Sequence, residues 1–205
     1  MLEIKNVNKK FKNNIIFEDI NIKLEKGDLV HLYGMNGSGK STLFKIIGGI
    51  LDPDNGEIIL DKNLKIGAVI ENAGFIENEN ILFNLRYLYS LLNHFDNEVE
   101  ERLKKLCSEF NLDLYNKEKL KNYSVGMRQK VAIIQAIMEE QNIMLFDEPT
   151  RGLDQEAINQ FFKIVKTHYK QKNRIIIIAS HDLINSLNYT KRLVIEDKKI
   201  YEKEY

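Results

Sequence analysis

Apolar and polar residues alternate at Leu2 and Ile4 and again over Ile20–Leu24, the period-two spacing of half-buried strands, and Leu2–Val7, Ile20–Leu24 and Leu29–Tyr33 read as strands. The third run ends in a glycine-rich turn, after which Leu43–Ile50 adopts helical spacing. Glu57–Leu60 and Lys65–Ile70 predict two further strands. From about Ile81 to Phe110 the spacing is helical, and the block reads as a separate helical lobe. Strand and helix then alternate: a helix over Ser124–Glu139, a strand over Ile143–Asp147, a helix over Gln155–Lys170, a strand over Arg174–Ser180, and short elements to the end. Such alternation predicts an α/β fold, a mainly parallel sheet with helices on its faces.

Bulk properties narrow this picture. A chain of 205 residues suffices for one compact domain with an attached lobe. Thirty basic residues balance thirty acidic ones, so no net field draws the protein to nucleic acid or anionic lipid. A membrane-spanning helix needs about 20 predominantly apolar residues, and no stretch comes near that; the N-terminus lacks the apolar core of a signal peptide. The chain is expected to stay in the cytoplasm. Cys107 lies between Leu103, Leu106 and Phe110 on one amphipathic helix and reads as a small core residue. His31, His94 and His168 have no metal-like spacing and read as strand or surface residues.

Chemistry concentrates at two places. Gly34-Met35-Asn36-Gly37-Ser38-Gly39-Lys40-Ser41 fits G-x-x-x-x-G-K-[ST] and stands between an apolar strand and a helix. Glycines let successive backbone N–H groups point into one concavity, and the helix adds its positive end to a phosphate site. Lys40 would meet the β and γ phosphates of a nucleotide, Ser41 would ligate Mg²⁺, and Thr42 would sit beside the α-phosphate. Further on, the apolar run Ile143–Phe146 ends in Asp147-Glu148. Burying two carboxylates is costly without cations, which Mg²⁺ and Lys40 would supply. Asp147 would then hold the metal, directly or through water, and Glu148 would orient or deprotonate the attacking water.

The order of motifs resembles that of the ABC ATPases, and the resemblance covers nearly the whole chain. Tyr123-Ser124-Val125-Gly126-Met127 stands in the place of that family's Leu-Ser-Gly-Gly-Gln signature. Glu148-Pro149-Thr150, the D-loop match Gly152-Leu153-Asp154 and the switch-histidine match Ser180-His181 follow in family order. The resemblance implies a P-loop NTPase core with an N-terminal antiparallel β region, formed by residues 1–70 and 131–205, and a helical subdomain over 71–130 carrying the signature. It also implies ATP and Mg²⁺ as ligands and hydrolysis of ATP, with His181 on the γ-phosphate. The working species would be a dimer, of two copies or of two homologous subunits, with each ATP between the phosphate loop of one and the signature of the other. Phe11 lies where the family carries the aromatic that stacks on adenine, with Ile16 as a second contact; Phe11 could equally pack on the first sheet. The energy would drive a separate membrane permease, docking around Phe75–Tyr89 on the cytoplasmic face.

The chain departs from the family at three points. Glu71 stands where most relatives carry a glutamine that reaches Mg²⁺ and the attacking water, so Glu71 is a candidate for both the metal and the catalytic set. A carboxylate ligates Mg²⁺ more strongly than an amide but adds negative charge beside Asp147 and the triphosphate. Val125 replaces the first signature glycine and Met127 the last signature residue. The run Ile66-Gly67-Ala68-Val69-Ile70-Glu71-Asn72-Ala73-Gly74-Phe75 and the signature Tyr-Ser-x-Gly-Met-Arg-Gln-Lys resemble the branch that exports bacitracin, lantibiotics and similar peptides. Two other readings stand beside a transporter motor. One is a soluble ABC ATPase acting on ribosomes or DNA, which the balanced charge and the small lobe between Lys40 and Ser124 disfavour. The other is an ATP-binding peptide sensor that does not pump.

Overall fold

The computed structural model describes residues 1–62, 64–71, 74–170, 174–182 and 186–203. Asn72 and Ala73, part of the run quoted above, lie outside the described residues. In chain order the elements are β1 (Leu2–Phe11), β2 (Asn14–Leu24), β3 (Leu29–Tyr33), α1 (Lys40–Ile47), β4 (Asn55–Leu60), β5 (Ile66–Val69), α2 (Ile81–Ser90), α3 (Asn97–Glu109), α4 (Val125–Ile137), β6 (Ile143–Asp147), α5 (Gln155–Lys170), β7 (Ile175–Ser180), β8 (Lys191–Glu196) and β9 (Lys199–Lys203).

Two sheets result. β2, β1 and β4 form a three-stranded antiparallel sheet, and β5-β6-β7-β3-β8-β9 form a second sheet that is parallel except for β9. The α/β fold with an N-terminal antiparallel region is therefore present. Strands β6 and β7 are buried on both faces and divide their side chains between two cores. Ile143, Leu145, Ile175 and Ile177 pack with α1 and the antiparallel sheet, while Met144, Phe146, Ile176 and Ile178 pack with α4 and α5. This double burial explains why these strands read as continuous apolar runs.

Three local expectations need correction. β1 and β2 run on past Val7 and begin before Ile20, meeting at a tight turn that contains Lys12 with φ 53°. The hydrophobic alternation fails there because the ladder is bulged and cross-linked by polar side chains: Asn6 N–H donates to Asn21 Oδ1, and Asn6 Nδ2 donates to Asp19 Oδ1. The single helical block splits into α2 and α3, because Asp96 caps a new helix by accepting from Val99 N–H. Finally, α1 ends at Ile47 rather than Ile50, stopped by Gly48 and by Gly49 at φ 67°.

The consequence for function is an alignment of strand ends. Tyr33 pairs with Ser180 and Asp147 pairs with Ala179, so β3, β6 and β7 all finish at one level on the carboxyl edge of the parallel sheet. Ligands in open α/β sheets bind at that edge.

Candidate active site

The loop after β3 is built around left-handed backbone. Gly39 caps α1 at φ 108°, and a Cβ there would lie 2.8 Å from both Ile16 Cγ2 and Phe17 Cζ. Only glycine meets both demands, so the antiparallel sheet presses directly on the loop and fixes its height. Gly37, at φ 80°, has open space on its Cβ side and forms the rim with Asn36. Lys40 is 6% exposed; its ammonium donates to Gly34 O at 2.7 Å and Met35 O at 3.3 Å. Its charge thus stays inside the loop, 3.5 Å from Glu148 Oε1. Ser38 Oγ is buried and has no hydrogen-bond partner among the described residues, a polar atom left for something the loop encloses.

Asp147 ends β6 half-buried and accepts a short hydrogen bond from Ser41 Oγ. Burial raises its pKa above the usual carboxylate range, against the lowering effects of Ser41 and Lys40. Such a carboxylate is short of positive charge, and the hydroxyl beside it is a second oxygen donor. The pair fits a hard divalent cation of the Mg²⁺ kind, which keeps several oxygens from water and phosphate and needs only one or two from protein. No cluster of three or more His, Cys, Asp or Glu suited to a metal exists among the described residues. A cation here would therefore depend on a ligand's oxygens to complete its shell.

Glu148 turns away from the strand at φ 46°, and its N–H donates to Ala179 O at 2.9 Å. This left-handed turn brings the second carboxylate to the same side as the first, where alternation along a strand would send them to opposite faces. His181, one residue past β7, places Nδ1 3.0 Å from Glu148 Oε1. The hydrogen bond and charge of Glu148 raise the imidazole pKa. Lys40 at the start of α1, Glu148 just past β6 and His181 just past β7 thus form one line of polar contacts, beside the Ser41–Asp147 pair.

Lys40, Ser41, Asp147 and Glu148 open onto a cleft of about 780 Å³, whose walls also include Ile16, Thr42, Glu71, Val125, Gln129 and Arg151. Glu71 reaches it at φ 53°, with its carboxylate 2.9 Å from Lys45 Nζ on α1 and its side chain 60% exposed. It bonds to neither Ser41 nor Asp147. Phe11 stands at the end of β1, 46% exposed, with the Lys9 ammonium 5.5 Å from its ring centroid, and lies outside the cleft wall.

The signature segment is arranged differently. Ser124 caps α4 by accepting from Met127 N–H at 3.2 Å, and both it and Val125 are exposed, Val125 to 71%. A Cβ on Gly126 would lie 2.4 Å from Gly152 O, so the signature rests on the loop before α5. Asp154 in that loop caps α5 by accepting from Ala157 N–H at 2.8 Å and lies 3.7 Å from Lys130. The bond from Ala157 holds its carboxyl below the usual range. Gln129 and Arg151 carried no assigned role in the sequence. Gln129 follows Val125 by one helical turn on α4, and its amide donates to Pro149 O at 3.1 Å, tying α4 to the turn after Glu148. Arg128 makes a two-pronged ion pair with Glu77, in the loop that leads to α2.

Known proteins place this geometry. Residues 17–151 match the family described as ABC transporter. The chain is 30% identical to the lantibiotic transport ATP-binding protein SrtF of Streptococcus pyogenes, over all of this chain and 91% of that one. It is 35% identical to the aliphatic sulfonates import ATP-binding protein SsuB of Bacillus cereus, over 90% of this chain and 74% of that one. Among solved structures, the dimeric post-hydrolysis state of the ATP-binding cassette MJ0796 bound to ADP and Pi superposes with a TM-score of 0.85 at 25% identity, covering the whole of this chain and 98% of that one. A phosphate loop facing a carboxylate pair at the sheet edge is what such a cassette needs to split ATP, and the match extends from end to end. The chain belongs to the ABC transporter family, as an ATP-binding and ATP-hydrolysing subunit.

Proposed function

We propose that two copies of this chain enclose two ATP molecules and hydrolyse them to drive a separate membrane permease. The observation that carries this reading is the exposure of the signature segment. Ser124 and Val125 stand in solvent at the start of α4, whereas Lys40 is buried and Asp147 and Glu148 are half-buried within the fold. A helix start whose capping serine is exposed can meet phosphate on another molecule, and Gly126 allows the backbone to come close. Asp154, on the loop against Gly126, would lie at the same junction.

Within one copy, Gly34–Gly39 would wrap the phosphates, Lys40 would exchange its carbonyl partners for phosphate oxygens, and Thr42 would border the α-phosphate. Ile16 would border the nucleotide beside Gly39, with Phe11 as the stacking ring. Mg²⁺ would be held by Ser41 and Asp147 and would supply charge neutralisation at the phosphates. Glu148 would accept a proton from the attacking water, and His181, bonded to that carboxylate, would fix its orientation and contact the γ-phosphate. Glu71, paired with Lys45 on the cleft wall, would join the metal site on release from that lysine. Equal ATPase and transport rates in Glu71→Gln would end this last assignment.

Residues 1–70 and 131–205 act in this reading as the catalytic core, and 71–130 as the lobe that meets the permease. Phe83 and Tyr87 stack their rings 6.3 Å apart on the exposed face of α2, with Leu91 and Leu92 exposed beyond them, an apolar surface suited to a protein partner. No helix among the described residues is long and apolar enough to cross a membrane, so that partner would provide the path and hold this subunit at its cytoplasmic face. Export of a lantibiotic-like peptide is favoured by the carboxylate at position 71 and by similarity to SrtF. Similarity to SsuB points to import instead. Co-expression with the permease, followed by peptide efflux assays, decides the direction.

The central test is Glu148→Gln. It should keep ATP affinity, lose hydrolysis by about 100-fold or more, and accumulate an ATP-bound dimer by light scattering. A variant that stays monomeric at saturating ATP removes the two-copy reading.

A further inference from the structure

His31 lies on β3, three residues before Gly34, and is fully buried. Its Nε2 stands 2.9 Å from Ser180 Oγ on β7, and its ring stacks on Tyr189 with centroids 5.1 Å apart. Ser180 in turn donates to Asp182 O at 2.5 Å. A hydroxyl has one proton, and here it is spent on the Asp182 carbonyl. Ser180 can therefore only accept from His31, which fixes the proton of His31 on Nε2 and leaves Nδ1 bare. Nδ1 has no hydrogen-bond partner among the described residues, which a bare nitrogen tolerates and a buried N–H would not.

The chain of bonds runs from His31 Nε2–H to Ser180 Oγ and from Ser180 Oγ–H to Asp182 O. Residue 181 sits inside it. The bonds hold the turn that leaves β7, and that turn presents the His181 imidazole to Glu148 at 3.0 Å and to Asp182 Oδ2 at 3.3 Å. Backbone pairing alone stops at Ser180, which faces Tyr33 as the last rung of the ladder.

We infer that His31 is a positioning residue for hydrolysis: as a neutral Nε2–H donor it orients Ser180, and through Ser180 it sets the turn that aims His181 at Glu148. The inference rests on the proposed role of His181 and Glu148 in hydrolysis. It adds a functional link between the strand that carries the phosphate loop and the strand that carries His181. Burial, with Arg192 nearby, lowers the imidazole pKa to about 4, so His31 keeps the neutral form this link requires at cellular pH.

Two readouts test it. In the unaltered protein, ¹⁵N NMR of the His31 ring should show the Nε2–H tautomer at neutral pH; the Nδ1–H tautomer or a charged ring overturns the inference. In steady-state kinetics, His31→Leu should lower kcat by about tenfold through loss of alignment, with KM for ATP within about twofold. Its His181 resonance should titrate at lower pH as contact with Glu148 loosens. His31→Gln, whose amide can donate to Ser180, should restore most of kcat. Unchanged kcat and His181 titration in His31→Leu, parallel loss of kcat and ATP affinity, or no rescue by Gln each overturn it. Should His31→Leu fail to fold, Ser180→Ala cuts the same chain of bonds and is read in the same way. His181→Ala separates the two layers of argument. If it hydrolyses ATP normally, the role of His181 falls; if it is inactive while His31→Leu is fully active, only the positioning inference falls.

Discussion

The phosphate loop and the signature segment each open a helix, yet they are finished differently. Around α1 the main contacts lie inside the chain, the buried Ser38 Oγ excepted: Ile16 and Phe17 press on Gly39, Lys40 is bonded to the loop's own carbonyls, and Ser41 is bonded to Asp147. At α4 the cap is met but the surface is not, with Ser124 and Val125 in solvent and Gly126 seated on Gly152. The first region is shaped in advance by folding. The second is shaped only on its inner side, and its outer side is consistent with completion by a second molecule. Substitutions in the two regions should therefore differ in kind: those near α1 should damage each copy's own chemistry, and those at α4 should damage the meeting of copies.

The largest effect is expected at Lys40. Lys40→Ala removes the buried charge from the loop and should lower ATP hydrolysis by about 100-fold or more. Raising the protein concentration should not restore the rate, because no encounter can replace the missing charge. Gly126→Ala comes next. Its new methyl would sit 2.4 Å from Gly152 O, so the signature must shift off the loop before α5. The expected cost is about 2 kcal/mol in ATP-dependent association, or about 30-fold in dimer affinity. ATP binding to the isolated subunit should be unchanged, and here a higher protein concentration should recover activity. A concentration-independent defect in Gly126→Ala would erase the distinction between the two regions.

Much of this contrast was legible in the sequence because its determinants are local. The phosphate loop is one continuous run between strand and helix, and β6 announces itself by ending four apolar residues in Asp147-Glu148. What escaped reading depends on pairs far apart in the chain. The hairpin of β1 and β2 is polar midway along its ladder, where Asn6 bonds to Asp19 and Asn21, so hydrophobic alternation could not reveal its full length. Motif order alone nominates Glu71 for a metal site, but its observed partner Lys45 lies on another element. His31 was legible as a strand residue, while its bond to Ser180 spans most of the chain and leaves no spacing signal.

His31 also marks the inner region by its response to acid. Its folded pKa is depressed to about 4, whereas an unfolded histidine takes up a proton near pH 6.5. The unfolded state therefore binds the extra proton between these values, and stability contributed by neutral His31 is full above about pH 6.5 and is lost as pH falls towards 4. Urea unfolding should show the unaltered protein losing on the order of 2 kcal/mol more than His31→Gln between pH 7 and pH 4.5. Equal losses would mean that the β3 strand beneath the phosphate loop is open enough to accept a charge.

The smallest effect, at Ser124, divides the two jobs of the signature most finely. Its hydroxyl caps α4 inside the chain and is also the group proposed to meet phosphate on the opposite copy. Ser124→Ala gives up both, so the isolated subunit should lose about 1 kcal/mol of stability to urea and the ATPase rate should fall as well. Asparagine is as good a cap as serine but is bulkier and offers an amide. Ser124→Asn should therefore keep the stability and still lose rate, because the cap is satisfied within the chain while the approach of the second copy is obstructed. If Ser124→Asn is as active as the unaltered protein, the hydroxyl serves α4 alone, and the outer side of the signature needs only its backbone to complete the site.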